Sequence, residues 1–268
     1  MRNLLPPFAA VLVVAAASPA ISADMAVKAP PPAVVAVYSW GGFYAGVNAG
    51  GVWTKDDVTW ISNPAVFGVA FSSTVNTGGT GSTNRAGATA GGQIGYNFQT
   101  NGPLLWGLEA DINYTDLAGS RTVVLPAPAV PGTFVTSSFS SKWLATVRGR
   151  VGFLPTPNLL LYLTGGAAFA EVKTGDFAFF AADGSNNTAS NSKTKSGWTV
   201  GGGAEWALSA GWSVKAEYLY VDLGNVNYTS LNTLTAFATI NHNHRVTENI
   251  ARVGVNYHFG GAPVIAKY

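Results

Sequence analysis

The sequence predicts an all-β chain folded as an eight-stranded antiparallel up-and-down transmembrane barrel, and three observations carry that prediction. The first is alternation. In "ARVGVNYHF", residues 251–259, Ala251, Val253, Val255, Tyr257 and Phe259 share one face of a strand, and Arg252, Gly254, Asn256 and His258 share the other. The second is composition: 10% of residues are charged, 12% are aromatic and 32 of 268 are Gly. Soluble domains carry about a quarter charged residues, and so few would struggle to cover a water-facing surface. The third is the spacing of turns, short and long in strict rotation, as an outer-membrane barrel requires.

The chain opens on an export signal. Arg2 supplies a positive start, Leu4 to Ala17 is apolar, and the small residues of "SPAISAD" place cleavage after Ala23, with Ala20 as the alternative. A membrane anchor is the competing reading, but Pro6 and Pro7 break a short run. Residues 24–39 form a Pro-rich leader, extended and periplasmic. No later stretch reaches the roughly 18 apolar residues of a spanning helix, so a membrane-embedded chain must be a barrel. The absence of Cys excludes a disulfide scaffold, a thiol nucleophile and a thiolate metal site. A net charge of +2 implies neither nucleic acid nor an acidic substrate.

The barrel is expected over residues 40–259, with a tail at 260–268. Period-2 segments fall at 40–53, 86–99, 104–115, 142–153, 159–172, 196–208, 212–223 and 248–259. "TNGP", "LPTPN" and "SAG" are tight turns, whereas 54–85, 116–141, 173–195 and 224–247 read as long polar loops. None of the fourteen prolines falls inside a segment, as central strands require. The glycines of "GVNAG" and "GATAG" sit on the polar face of alternating strands rather than on a helix-dimer seam.

Aromatics mark the segment ends. Trp40, Trp53, Trp106, Trp143, Trp198, Trp206 and Trp212 lie there, and only Trp60 falls in a loop. With Phe98, Phe153, Tyr257 and Phe259 on one rim and Tyr114, Phe169 and Tyr218 on the other, they form two girdles at the lipid interfaces. The apolar face is therefore outside. Val255→Arg should cost more than Asn256→Arg, one residue along.

"VKAPPPAVVAVYSWGGFYAGVNAGGVW", "LYLTGGAAF", "WSVKAEYLYVDLG" and "RVGVNYHFGGAPVIAKY" together resemble the small alphaproteobacterial outer-membrane immunogenic, or RopB-type porin-family, proteins within the OmpA-like barrels. The resemblance covers essentially the whole mature chain. It implies an eight-stranded barrel, a surface-antigen or envelope-structural role, and no catalytic residue. The expected partners are the outer-membrane lipid bilayer and the barrel-assembly machinery, engaged through the C-terminal strand. Such barrels often end on the last strand's aromatic, whereas "GGAPVIAKY" follows Phe259, so Phe259 and Tyr268 both stand as candidate assembly signals.

The inward face comprises Tyr44, Asn48, Gln93, Asn97, Asn113 and eight charges: Glu109, Asp111, Arg148, Arg150, Glu205, Lys215, Glu217 and Arg252. Glu109 and Arg148 count to similar heights on adjacent strands, as do Glu205 and Lys215. Eight strands leave room for little beyond side chains, so the favoured reading is a plug of paired charges. The alternative is a porin-like channel for small solutes. "NHNH" sets His242 and His244 two apart, the start of a metal or haem site if the loop is extended, but no third ligand is in view. An envelope lipid-modifying enzyme would need a Ser–His–acid arrangement. His258, inward at the periplasmic rim, lies far from the loop serines, and neither catalytic residue nor cofactor is implied.

Overall fold

The computed structural model describes residues 38–209, 211–234 and 237–259. The signal, the leader before Tyr38, the tail and Tyr268 lie outside the described residues. Eight antiparallel strands close in chain order into a single barrel. They are β1 (Gly42–Ser62), β2 (Gly81–Gln99), β3 (Leu104–Val124), β4 (Phe134–Thr156), β5 (Leu159–Phe179), β6 (Asn186–Ser209), β7 (Trp212–Asn232) and β8 (Thr239–His258). Two helices, α1 (Pro64–Phe67) and α2 (Val69–Gly79), join β1 to β2. No helix among the described residues is long and apolar enough to cross a membrane.

The pleat decides which residues meet lipid. In β8, Val253 and Val255 face outward, while Arg252 and Asn256 are buried inside. Register follows from that alternation, because a one-residue slip would turn every lumen charge to the lipid. Ring closure pairs Ala49 of β1 with Val253 and Tyr44 with His258. Gly95 faces Tyr44 on the neighbouring strand, where an added Cβ would lie 2.3 Å from the Tyr44 ring.

The strands are far longer than the expected segments, at 19 to 24 residues. A membrane crossing takes about 9–11. The excess lies at the end opposite the tight turns, so most of 54–85, 116–141, 173–195 and 224–247 is strand rather than loop. Below the upper girdle, lipid outside and polar groups inside create the alternation. Above it the outer face meets water, and stretches such as "FVTSSFSS" lose the contrast. The apolar island 65–71 is helical, whereas 177–180 largely extends β5.

Trp53, Trp106, Trp198, Trp206, Trp212, Tyr257 and Phe259 are exposed on the wall, and Trp143 is half-buried beside Tyr114. Trp40 is a correction: it is fully buried and belongs to the lumen floor, not to a girdle. Its indole donates to the Pro157 carbonyl at 2.9 Å, and Asn97 donates to the Trp40 carbonyl at 2.9 Å. Trp60 is likewise buried, inside the mouth.

Val253 lies midway between Tyr257 and the level of Trp53. Val253→Arg should cost about 2–4 kcal/mol, the worth of a cation at the bilayer midplane, while Val253→Leu should leave folding into lipid vesicles unchanged. Equal costs for the two would contradict its lipid-facing placement. Asn256→Arg should act through the lumen. Asn256 is buried between Glu205 and Gln93, so a larger side chain there overpacks a filled interior.

Candidate functional site: the stratified lumen

The lumen is filled in layers. At the floor, Trp40, Leu105, Leu160, Tyr162 and Ala207 form an apolar cluster. Above it lie the eight charges expected from the sequence, each under 5% exposed except Asp111 at 6%. Arg148 is the hub. Its guanidinium reaches Glu109, Asp111 at 2.8 Å and Glu217 at 2.9 Å. Arg252 bonds Glu217 through Nε at 2.8 Å and Asp111 through Nη1 at 3.0 Å. Lys215 donates to Glu109 at 3.0 Å, and the Tyr44 hydroxyl donates to Glu109 at 2.7 Å. Arg150 reaches Glu205 at 3.2 Å and Asn97 at 2.9 Å, with its guanidinium carbon 4.5 Å from the Tyr44 ring centre.

Glu109 and Arg148 are direct cross-strand partners, as are Glu205 and Lys215. Cross-strand pairing fixes height but not contact. Lys215 turns to Glu109, whereas Glu205 takes Arg150, Asn256, Ser213 and His258. Each of the four acids in this layer, Glu109, Asp111, Glu205 and Glu217, has a basic partner, which is what buried charges require.

His258 lies 3.2 Å from both Ser213 and Glu205, a proximity hidden in the sequence because Ser213 lies at the periplasmic end of β7, just past the turn. The three do not form a catalytic relay. One nitrogen, Nε2, faces both partners and Nδ1 has none, whereas a relay needs the acid on the far nitrogen. Ser213 is also fully buried.

An apolar collar follows, including Val52, Leu144, Ala168, Leu219, Val246 and Ile250. Glu248 interrupts it, fully buried, and neither of its carboxylate oxygens has a hydrogen-bond partner. An unpaired buried carboxyl costs its full desolvation. Glu248→Leu should therefore stabilise the barrel by about 1–3 kcal/mol, read as a higher urea midpoint for unfolding from vesicles. An unchanged or lower midpoint would show that Glu248 has a partner.

Above the upper girdle, His242 and His244 are buried inside rather than displayed on a loop, because β8 extends to Thr239. Asp176 of β5 lies 3.0 Å from His242 Nδ1 and 2.9 Å from His244 Nε2, and accepts from the Tyr228 hydroxyl at 2.6 Å. Asp56 holds His244 Nδ1 at 3.0 Å. Among the described residues no group of three or more His, Asp or Glu is arranged to hold a metal ion. The histidines meet carboxylates instead. Asp176 and Asp56 raise the His244 imidazole to about 9 against the burial that opposes its charge, and the two histidines hold Asp176 well below the usual carboxylate range despite its own burial.

At the mouth Val58, Trp60, Val75 of α2, Leu125, Val135, Phe180 and Ile240 form a further apolar cluster. Gly79 of α2 lies against Trp60, where a Cβ would come within 2.2 Å of the indole.

A closed eight-stranded ring with a lipid-facing apolar wall, aromatic rims and a polar interior defines an outer-membrane β-barrel. The chain matches the outer membrane protein beta-barrel domain over residues 8–259, and it belongs to that family and resides in the outer membrane. It is 35% identical to the 31 kDa outer-membrane immunogenic protein of Brucella melitensis, covering 91% of this chain and 95% of that one. It is 31% identical to the 25 kDa outer-membrane immunogenic protein of Brucella abortus, with 90% and 91% covered. Among solved structures, the outer membrane protein OprG of Pseudomonas aeruginosa aligns over 81% of this chain and 97% of its own, at 13% identity and a TM-score of 0.49.

Proposed function

We propose that this barrel is an envelope-structural and surface-display protein whose lumen is plugged, not a conduit. The observation that carries the reading is the succession of filled layers, above all the mutually paired charges around Arg148. The mouth residues pack over α2, which further favours a sealed interior. Display is supported by strands that rise well above the membrane and by the relatives named as immunogenic. Insertion into lipid and recognition by the assembly machinery through the C-terminal strand complete the proposal. An epitope inserted at Asp183, in the turn between β5 and β6, should be stained by antibody on intact cells. Staining only after permeabilisation would contradict surface display.

A further inference from the structure

Above the upper girdle the wall is not continuous. β6 and β7 pair from the periplasmic turn up to Trp198 and Asp222, then again only at Thr188–Leu231 and Asn187–Asn232. Between these points residues 189–197 and 223–230 have no partners across the β6–β7 ladder. Each strand stays paired on its other side, β6 to β5 and β7 to β8. The gap is therefore a window bounded by two facing sheet edges, and an unpaired edge is a template for an added strand. A second gap separates β2 from β3 above Thr89–Thr115, and it is bridged by two arginines. There Arg85 donates to the Ser120 carbonyl and Arg121 to Gly78 of α2.

The β6–β7 window is charged on one side only. Its edges, "ASNSKTKSG" and "LGNVNYTS", carry two lysines and no acid. Lys195 spans the opening, its ammonium 2.6 Å from the Asn225 carbonyl. Lys193 is exposed, with no hydrogen-bond or ion-pair partner among the described residues. The neighbouring acids are engaged elsewhere: Asp222 by Arg245 at 3.1 Å, and Glu171, the cross-strand partner of Thr194, by Lys173 at 3.0 Å.

We propose that this window binds an extended acidic peptide segment of another protein as an added strand. The backbone edges supply ladder hydrogen bonds, which only a polypeptide can satisfy. Lys193 and Lys195 select acidic side chains at alternate positions. On binding, Lys195 exchanges the Asn225 carbonyl for a carboxylate, and a peptide N–H takes its place.

The test uses the full mature barrel in nanodiscs and a fluorescein-labelled octapeptide of alternating Glu and Val, with a Lys–Val octapeptide as control. The acidic peptide should bind saturably and more weakly at high salt, and it should slow amide exchange in 189–197 and 223–230. Lys193→Glu with Lys195→Glu should weaken binding by roughly tenfold, about 1.4 kcal/mol, while the variant barrel folds normally because both side chains reach solvent. No saturable binding, or equal binding of the Lys–Val peptide, would overturn the proposal. Lysine-dependent binding without amide protection, matched by inorganic polyphosphate, would identify a simple anion site and overturn strand addition.

Discussion

Arg148→Gln should destabilise the barrel by about 3–5 kcal/mol, the cost of leaving buried charges without their partner. The side chain serves three acids at once, so its loss orphans parts of Glu109, Asp111 and Glu217 together. Glu109→Gln should cost less than Arg148→Gln, because Arg148 keeps Asp111 and Glu217. The double variant should recover part of the combined loss, with a coupling of about 0.5–3 kcal/mol. Recovery stays incomplete because Asp111 and Glu217 still lack Arg148 and lean on Arg252 alone at close range. Urea titration of vesicle-inserted protein, followed by Trp fluorescence, measures all three. Strict additivity would mean the charges do not act as one network.

Asp176→Asn should have a comparable effect, about 3–5 kcal/mol, from the layer above the membrane. This carboxylate links β5 to β7 and β8 through Tyr228, His242 and His244, and no other acid takes its place between the two histidines. The pH dependence fixes the sign. His244 is raised from the ordinary value near 6.5 to about 9, so its contribution is fully present below pH 6.5 and is lost as pH rises through about 9. The wild-type unfolding midpoint should therefore fall across that window, and His244→Gln should flatten the fall. A wild-type slope that persists in His244→Gln would place the titration elsewhere.

Alternation made the membrane zone legible in the sequence, since lipid outside and polarity inside write opposite chemistry on successive residues. The register of Glu109 opposite Arg148 follows from counting up from the periplasmic strand ends at Leu104 and Phe153, which are partners. Four features were not legible. Side-chain reach, not height, sends Lys215 to Glu109 rather than to Glu205. The extended strands above the membrane lost their polarity contrast, and with it went the signal that His242 and His244 face inward. Trp40 reads as a girdle residue by its place at a strand end. Whether it faces lipid or lumen depends on the chain bending under the barrel to reach Pro157 and Asn97, a contact that no local pattern encodes. The Ser213–His258–Glu205 proximity was hidden for a related reason: the long β7–β8 hairpin returns His258 beside the start of β7, although many residues separate it from Ser213 in the sequence.

The most direct measurement of the central claim is planar-bilayer conductance of the refolded mature protein. On the proposed reading, a lumen filled from Trp40 to Trp60 leaves no continuous aqueous path. Insertion should be silent at neutral pH, with the bilayer capacitance intact and no sustained current steps. Stable, reproducible, ion-passing channels from the wild-type barrel would contradict the plug and make the porin-like reading the better account.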